Sequence, residues 1–170
     1  MLRSALKKTL MSPVVLKHLM NLYAPLRGAS IRVKDIAPDY SRLVVEMPLT
    51  RRNKNAVGTQ FGGSLYAMAD PFYMLLLMQR LGNRYLVWDQ EATIRFVAPG
   101  KGLVRGVYEI TEAQLSEIAA QAADGRKVLY TFHAQITHAD GSVVAEVQKV
   151  LYIRLKPEFR PGHPSSNNRS

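Results

Sequence analysis

The chain has 170 residues, no cysteine, and 23 lysine and arginine residues against 13 acidic ones, a formal net charge of +10. This length suits one domain with its own core, and the lack of cysteine excludes disulfides, cysteine nucleophiles and thiolate metal sites. The first 34 residues and the residues from Lys149 onward hold 12 bases and one acid, whereas the body, residues 35–148, holds 11 bases and 12 acids. Because the basicity belongs to the ends, a nucleic-acid partner is not expected, and the composition fits a cytoplasmic protein.

The N-terminal 27 residues predict a helical extension, with Pro13 in a first turn. Its apolar residues recur at helical spacing: Leu10, Val14, Val15, Leu19 and Leu22. Residues 28–156 form the predicted main domain, and the stretch 157–170, rich in Pro, Ser and Asn, predicts an irregular tail. No segment has the roughly 18 to 20 apolar residues that a membrane span requires.

The main domain predicts strands around one long helix. Short strands are expected at 31–36 and 43–47, followed by a helix over 62–81. Alternating apolar residues predict further strands at 92–98, 104–110, 128–137 and 143–153, with a helix at 111–123 that Thr111 caps. Asp140-Gly141 is typical of a hairpin turn between the last two strands.

The helix at 62–81 is apolar nearly all round and must therefore be buried. An antiparallel sheet that curves around this helix would cover much of it, which predicts an α+β class. The remaining apolar surface of the helix favours a homodimer or homotetramer.

The most informative segment runs from Asn55 to Pro71. It combines a polar loop containing Thr59, the pair Gly62-Gly63 at the start of the helix, and Asp70 about two turns later. Glycines there let a ligand approach the backbone, whose free N–H groups suit an anion or a developing oxyanion. The alternative is that the glycines only relieve crowding between loop and sheet.

Asp70 stands among apolar residues, where a carboxylate costs several kcal/mol unless it is paired or protonated. No lysine or arginine lies within one helical turn of it in the sequence, which favours a general base or a nucleophile. The structural alternative is an Asp that accepts local hydrogen bonds or lies on an exposed stripe. Pro71 supports that alternative, because proline interrupts the helical hydrogen bonds.

Asn-x-x-Gly-Thr-x-x-Gly-Gly followed by Ala-x-Ala-Asp resembles the hotdog-fold acyl-CoA thioesterases of the phenylacetate-pathway (PaaI-like) type. The chain is most similar to a related bacterial hotdog family whose members mostly lack assigned substrates. The resemblance covers most of the chain, including Gly28-Ala29-Ser30-Ile31, Val87-Trp88-Asp89 and the final strand from Lys149 to Arg154. It implies a hotdog fold, a curved antiparallel sheet wrapped around a central helix.

The resemblance also implies roles for the matching residues. Asp70 would activate water or attack the thioester, the N–H of Gly62 would polarise the thioester carbonyl, and Asn55 would position water or the carbonyl. Phe61 departs from the histidine that commonly precedes the Gly-Gly pair. Asp89 is a weaker candidate for a further polar partner from the facing strand.

An acyl-CoA substrate needs an apolar slot and cations for the coenzyme A phosphates, with no other cofactor and no metal. The candidate substrate-binding residues are Thr59, Phe61, Gly63, Tyr66 and Met74, although aromatic and methionine residues at helical spacing are more often plain core. The candidate phosphate-binding cations are Arg51, Arg52, Lys54, Arg95, Lys101 and Arg105, although each cluster alone is typical of solvated surface. The sequence thus predicts an acyl-CoA thioesterase, with a non-catalytic acyl-binding protein as the alternative and a nucleic-acid or membrane-surface module as the third.

Overall fold

The computed structural model describes residues 12–162. Helix α1 (Pro13–Leu22) begins with Pro13 in its first turn and is capped by Ser12, whose Oγ accepts a hydrogen bond from the Val15 N–H. A short helix α2 (Ala24–Gly28) follows. The Asn21 side chain donates to the Val33 carbonyl and accepts from the Val33 N–H, at 3.0 and 2.8 Å, and so attaches α1 to the first strand. The predicted helical position Leu10 and the tail beyond residue 162 lie outside the described residues.

The described residues form one six-stranded antiparallel sheet in the order β1-β2-β4-β5-β6-β3. Its strands are β1 (Arg32–Ile36), β2 (Arg42–Pro48), β3 (Tyr85–Phe96), β4 (Leu103–Glu109), β5 (Val128–His138) and β6 (Val143–Leu155). All lie where the sequence predicts strands, except that β3 begins earlier, at Tyr85. Strands β4 and β5 pair only between Val104–Gly106 and Ile136–His138, so the sheet forks beyond that point.

The predicted central helix is present but interrupted. Helix α3 (Gly62–Ala67) and helix α4 (Phe72–Leu81) are separated by a turn at residues 68–71, because Pro71 has no N–H to continue the hydrogen-bond ladder. The Tyr108 hydroxyl, fully buried, donates to the Met68 carbonyl within this turn at 2.8 Å. The break is thus a satisfied part of the core rather than a frayed end.

The curved sheet wraps around the central helix, which contacts β2, β3 and β4, whereas β1 packs against α1. Tyr73 of α4 stacks on Phe132 of β5 with a ring separation of 4.6 Å and donates its hydroxyl to the His133 carbonyl. Helix α5 (Glu112–Ala122) carries the predicted cap, since the Thr111 side chain and Gln114 satisfy each other's backbone N–H groups. This arrangement confirms the predicted α+β hotdog class. In the described part of the chain, no helix is long and apolar enough to cross a membrane.

Candidate functional site

Two buried amides hold the loop that leads to the central helix. Asn53 Nδ2 donates to the carbonyls of Ala29 and Pro48, each at 2.8 Å. Gln60 Nε2 donates to the carbonyl of Met47 at 2.9 Å. Both residues are almost fully buried, yet in the sequence they look like ordinary loop residues. They fix the loop to β2 and so determine where α3 begins.

Asn55 organises the same loop from within. Its Oδ1 accepts the N–H groups of Val57 and Thr59, and its Nδ2 donates to Thr59 Oγ1 at 2.9 Å. The polar atoms of Asn55 and the Thr59 hydroxyl are therefore engaged with each other in this conformation. Their contact shapes the turn just before Phe61.

The two glycines lie against aromatic rings. A Cβ at Gly62 would approach the Phe96 ring to 2.9 Å, and one at Gly63 would approach the Phe61 ring to 2.3 Å. These short distances support the alternative in which the glycines relieve crowding around the loop. It coexists with the chemical one, because the N–H groups of Gly62 and Gly63 open a helix and have no acceptor among the described residues.

Asp70 lies in the turn between α3 and α4. The expectation that it is enclosed by its apolar neighbours is wrong, since 44% of its side chain is exposed. The reason is the helix break at Pro71, which leaves the carboxylate outside the helical surface that buries Phe72. A carboxylate that is reachable from solvent can meet a substrate.

The cation that neutralises Asp70 comes from the far end of the chain. Lys149 of β6 donates from Nζ to Asp70 Oδ1 at 2.9 Å, and its side chain is only 1% exposed. Its Nζ also lies 3.0 Å from Asp89 Oδ1, an ion pair rather than a well-directed hydrogen bond. The Tyr66 ring faces the same ammonium, with 5.8 Å from Nζ to the ring centroid. Asp70, Lys149, Asp89 and Tyr66 are called the lysine cluster below.

The pKa values in the lysine cluster result from opposing effects of burial and of neighbouring charges. Burial alone would lower the pKa of Lys149, but the hydrogen bond to Asp70, the close contact with Asp89 and the charges of both carboxylates outweigh it and raise that pKa. Burial raises the pKa of Asp89 despite the opposing ammonium, and the nearby charge of Asp70 raises it further. Burial and the Asp70 carboxylate also raise the pKa of Tyr66. The ammonium therefore stays charged across the physiological range.

Sequence reasoning assigned Lys149 to a basic end of the chain, and this assignment is wrong. Strand β6 buries alternate residues on the helix side of the sheet, and Lys149 is in phase with Val147, Leu151 and Ile153. That alternation was the available signal, because a lysine at an inward position needs a buried counter-ion. Asp89 lies on β3 beside Lys149, 3.0 Å from its Nζ, and its role as a further polar partner stays a prediction.

The other predicted substrate residues are only partly brought together. Tyr66 lies in the lysine cluster, and the Phe61 side chain is 57% exposed beside Gly63. Met74 instead packs against the apolar core. Glycines 62 and 63, Phe61 and Tyr66 therefore form the open side of the site.

The predicted phosphate-binding cations fall into two separate places. Arg51, Arg52 and Lys54 are exposed on the loop before α3. Arg95 lies on the outer face of the sheet, where it contacts Glu146 at 2.6 Å. Together with Arg105 and His133 it lines a cavity of about 780 Å³ at the fork between β4 and β5. Lys101 does not line this cavity; it is exposed in the turn before β4, and its backbone N–H donates to His138.

The cavity and Asp70 are on opposite faces of the sheet. Arg95 and Glu146 point outward, whereas their neighbour Val147 and the cluster residue Lys149 point inward. The Asp70 carboxylate and the free N–H groups of Gly62 and Gly63 therefore lie on the helix side of the sheet, away from this cavity. Within residues 12–162, no group of three His, Asp or Glu side chains is placed to hold a metal ion.

The sequence and the fold were compared with those of known proteins. A family described as a domain of unknown function, DUF4442, matches residues 12–153. Among proteins with curated descriptions, none matches the sequence significantly.

Several solved structures share the fold. One is a Pseudomonas aeruginosa protein of unknown function, PA5026, described as a probable thioesterase, with 24% identity and a TM-score of 0.74 over 84% of this chain and 95% of that one. Another is thioesterase HI1161 from Haemophilus influenzae, with 13% identity and a TM-score of 0.63 over 90% of this chain and 95% of that one. A third, of unknown function, comes from Chlorobaculum tepidum, with 18% identity and a TM-score of 0.68 over 86% of this chain and 98% of that one. At these identities the likeness establishes the fold.

Proposed function

The chain belongs to the DUF4442 family of unknown function, and from that membership, the hotdog fold and the lysine cluster we propose that it is a thioester hydrolase acting on acyl-CoA. The observation that carries this proposal is Asp70, a half-exposed carboxylate at the helix break, held by the buried ammonium of Lys149 at 2.9 Å. A surface carboxylate needs no such partner, and a purely structural one would be better replaced by an apolar residue. The names of two structural neighbours, a probable thioesterase and a thioesterase, point to the same reaction class.

Hydrolysis needs one proton acceptor and one oxyanion site. Asp70 accepts a proton from water while the water oxygen attacks the thioester carbonyl carbon. The carbonyl oxygen becomes an oxyanion that the N–H of Gly62 stabilises. When the carbon–sulfur bond breaks, the proton held by Asp70 passes to the departing sulfur, which yields the acid and the free thiol. A covalent route, in which Asp70 itself attacks and water then cleaves the anhydride, uses the same residues.

The loop supplies the surroundings of the reacting group. Asn55 and Thr59 set the course of the loop before Gly62 through their mutual hydrogen bonds, which makes Asn55 a support for the oxyanion site. Phe61, Gly63 and Tyr66 form the wall that receives the acyl group or the pantetheine arm. Arg51, Arg52 and Lys54, exposed on that same loop, are the cations proposed for the coenzyme A phosphates. Arg95 is less suited, because it is paired with Glu146 on the outer face.

A homodimer or homotetramer is part of the proposal. Strand β3 is an edge of the sheet and exposes Trp88 and Phe96, and Phe61 is exposed beside it. An uncovered apolar edge strand favours association with another chain. Light scattering coupled to size exclusion would show a mass of two or four chains, and a monomer at micromolar concentration would contradict this part of the proposal.

The test is thiol release from a panel of straight-chain and aromatic acyl-CoA substrates by the wild-type protein and its Asp70→Asn variant. We expect turnover of at least one substrate and a fall of about 10² to 10⁴-fold in the variant. Asp124→Asn, which removes an exposed carboxylate paired with Arg126, is the matched control and should keep full activity. Tight binding of acyl-CoA without turnover would identify instead an acyl-binding protein, for which the unusual Phe61 is the motivating feature.

A further inference from the structure

Lys149 occupies a position at which β6 otherwise places apolar residues. Its neighbours on the inward face, Val147 and Leu151, are buried against the central helix. An ammonium there must be desolvated, and a leucine of similar length would avoid that cost. A lysine in such a position therefore indicates a use for its charge.

Lys149 is unable to contact a substrate directly. Its side chain is 1% exposed, whereas the Asp70 side chain that it contacts is 44% exposed. The side chain of Asp89, which contacts Lys149 from β3, is 26% exposed. The exposed fraction of the side chain thus rises from Lys149 through Asp89 to Asp70, and Asp70 is the most accessible of the three.

Asp70 needs such a contact because of where it lies. In residues 68–71 the chain is a turn, so the helical hydrogen-bond ladder does not fix the backbone of Asp70 as it would inside α3 or α4. The bond from Lys149 Nζ to Asp70 Oδ1 joins this turn to the middle of the sheet. It occupies Oδ1 and so restricts the orientation of the carboxylate.

We propose that Lys149 is a positioning residue that orients and electrically balances Asp70 for hydrolysis, and that Asp89 keeps Lys149 paired during the reaction. This proposal rests on the proposed function. At rest the cluster holds two carboxylates and one ammonium, so it carries one excess negative charge. When Asp70 takes a proton the cluster becomes neutral, and Asp89 remains as the counter-ion of the buried ammonium.

Loss of the Lys149 charge and loss of the Asp89 charge are thus expected to shift the pH–rate profile of thiol release in opposite directions. Within the described residues, the titratable side chains that face Lys149 are Asp70 from the turn, Tyr66 from α3 and Asp89 from β3. Removing the ammonium favours protonation of the remaining carboxylates, whereas removing the Asp89 charge disfavours it. Mere damage to the fold would not shift the profile in opposite directions.

The experiment measures kcat, KM and the pH–rate profile of thiol release for the wild type, Lys149→Met and Asp89→Asn. In Lys149→Met we expect kcat to fall about 10²-fold, since the catalytic carboxylate is misplaced, with KM little changed. The acid limb should move to higher pH in Lys149→Met and to lower pH in Asp89→Asn. Lys149→Arg, which keeps the charge but changes the geometry, should lower kcat while leaving the acid limb in place.

The outcomes separate this inference from the proposed function. Wild-type kcat and an unshifted acid limb in folded Lys149→Met, together with an inactive Asp70→Asn, would overturn the positioning role and leave the hydrolase standing. If Lys149→Met does not fold, the acid limb of the pH–rate profile of Asp89→Asn provides the test. An acid limb that does not move, or that moves to higher pH, overturns the positioning role of Lys149. A wild type that releases no thiol from any substrate defeats the hydrolase itself and the positioning role with it.

Discussion

Strands β3 and β6 carry an ion pair on each face of the sheet, and the two pairs contrast. On the outer face, Arg95 and Glu146 are direct cross-strand neighbours with side chains 69% and 39% exposed. On the inner face, Lys149 is enclosed and is shared by two carboxylates from different elements. The outer pair is typical of a solvated sheet surface, whereas the inner one requires compensation for a desolvated charge. Burial, not distance, therefore distinguishes the inner pair, to which we assign a function, from the outer one.

The largest expected difference between the inner and the outer ion pair is in the free energy of unfolding that each substitution removes. Lys149→Met leaves Asp89 without a counter-ion in a half-buried place, and we expect the free energy of unfolding to fall by about 2 kcal/mol, less than for a fully buried pair because both carboxylates are partly exposed. Arg95→Met should change it by less than about 0.5 kcal/mol. Urea denaturation at pH 7 measures both, and equal losses would remove the contrast between the faces.

A second substitution tests why Lys149→Met lowers the free energy of unfolding. If the loss in Lys149→Met comes from uncompensated carboxylate charge, adding Asp89→Asn should restore about 1 kcal/mol. Adding Glu146→Gln to Arg95→Met should restore nothing measurable. If the stability losses of Lys149→Met and Asp89→Asn simply add in the double variant, the cause of the first loss is a poor fit of the methionine in the core and not an unpaired charge.

The pH dependence provides a smaller test. The pKa of Lys149 in the folded protein lies above its ordinary value of 10.5. Its contribution to stability is therefore complete below about pH 10.5 and is lost as the pH rises through the higher folded value. The stability difference between the wild type and Lys149→Met should narrow in that alkaline window, and a difference that stays constant would contradict the raised pKa.

Salt should give the smallest effect. At about 1 M salt the screening length is roughly 3 Å, so a double-mutant cycle should show the coupling of Arg95 and Glu146 falling toward zero. The coupling of Lys149 and Asp70 should be retained for the most part, because the ammonium is shielded from solvent. Equal salt sensitivity would indicate that water reaches Lys149.

The local features of the fold could be predicted because they depend on residues near one another in the chain. The alternation in β5 and β6, the Thr111 cap and the Gly62 helix start are of this kind. The partner of Asp70 is 79 residues away, and only the register of β6 beside the helix break makes it visible. Pro71 supported the alternative of an exposed Asp70, whereas the favoured prediction placed this carboxylate among its apolar neighbours, and the structure agrees with the alternative on exposure.

The buried amides illustrate a different limit. Asn53 and Gln60 bond backbone carbonyls of Ala29, Pro48 and Met47, which are brought together only by the folded sheet. Composition and spacing carry no sign of this, because a polar residue in a loop is exposed by default. The oxyanion site that we propose at Gly62 therefore depends on contacts that the motif itself does not contain.

The central claim is that the carboxylate on the inner face performs hydrolysis, and one comparison tests it most directly. Thiol release by Asp70→Asn and by Asp124→Asn would be measured on the best acyl-CoA substrate of the wild type, under identical conditions. The account predicts a loss of about 10² to 10⁴-fold for Asp70→Asn and none for Asp124→Asn. Equal activity in the two variants would contradict it.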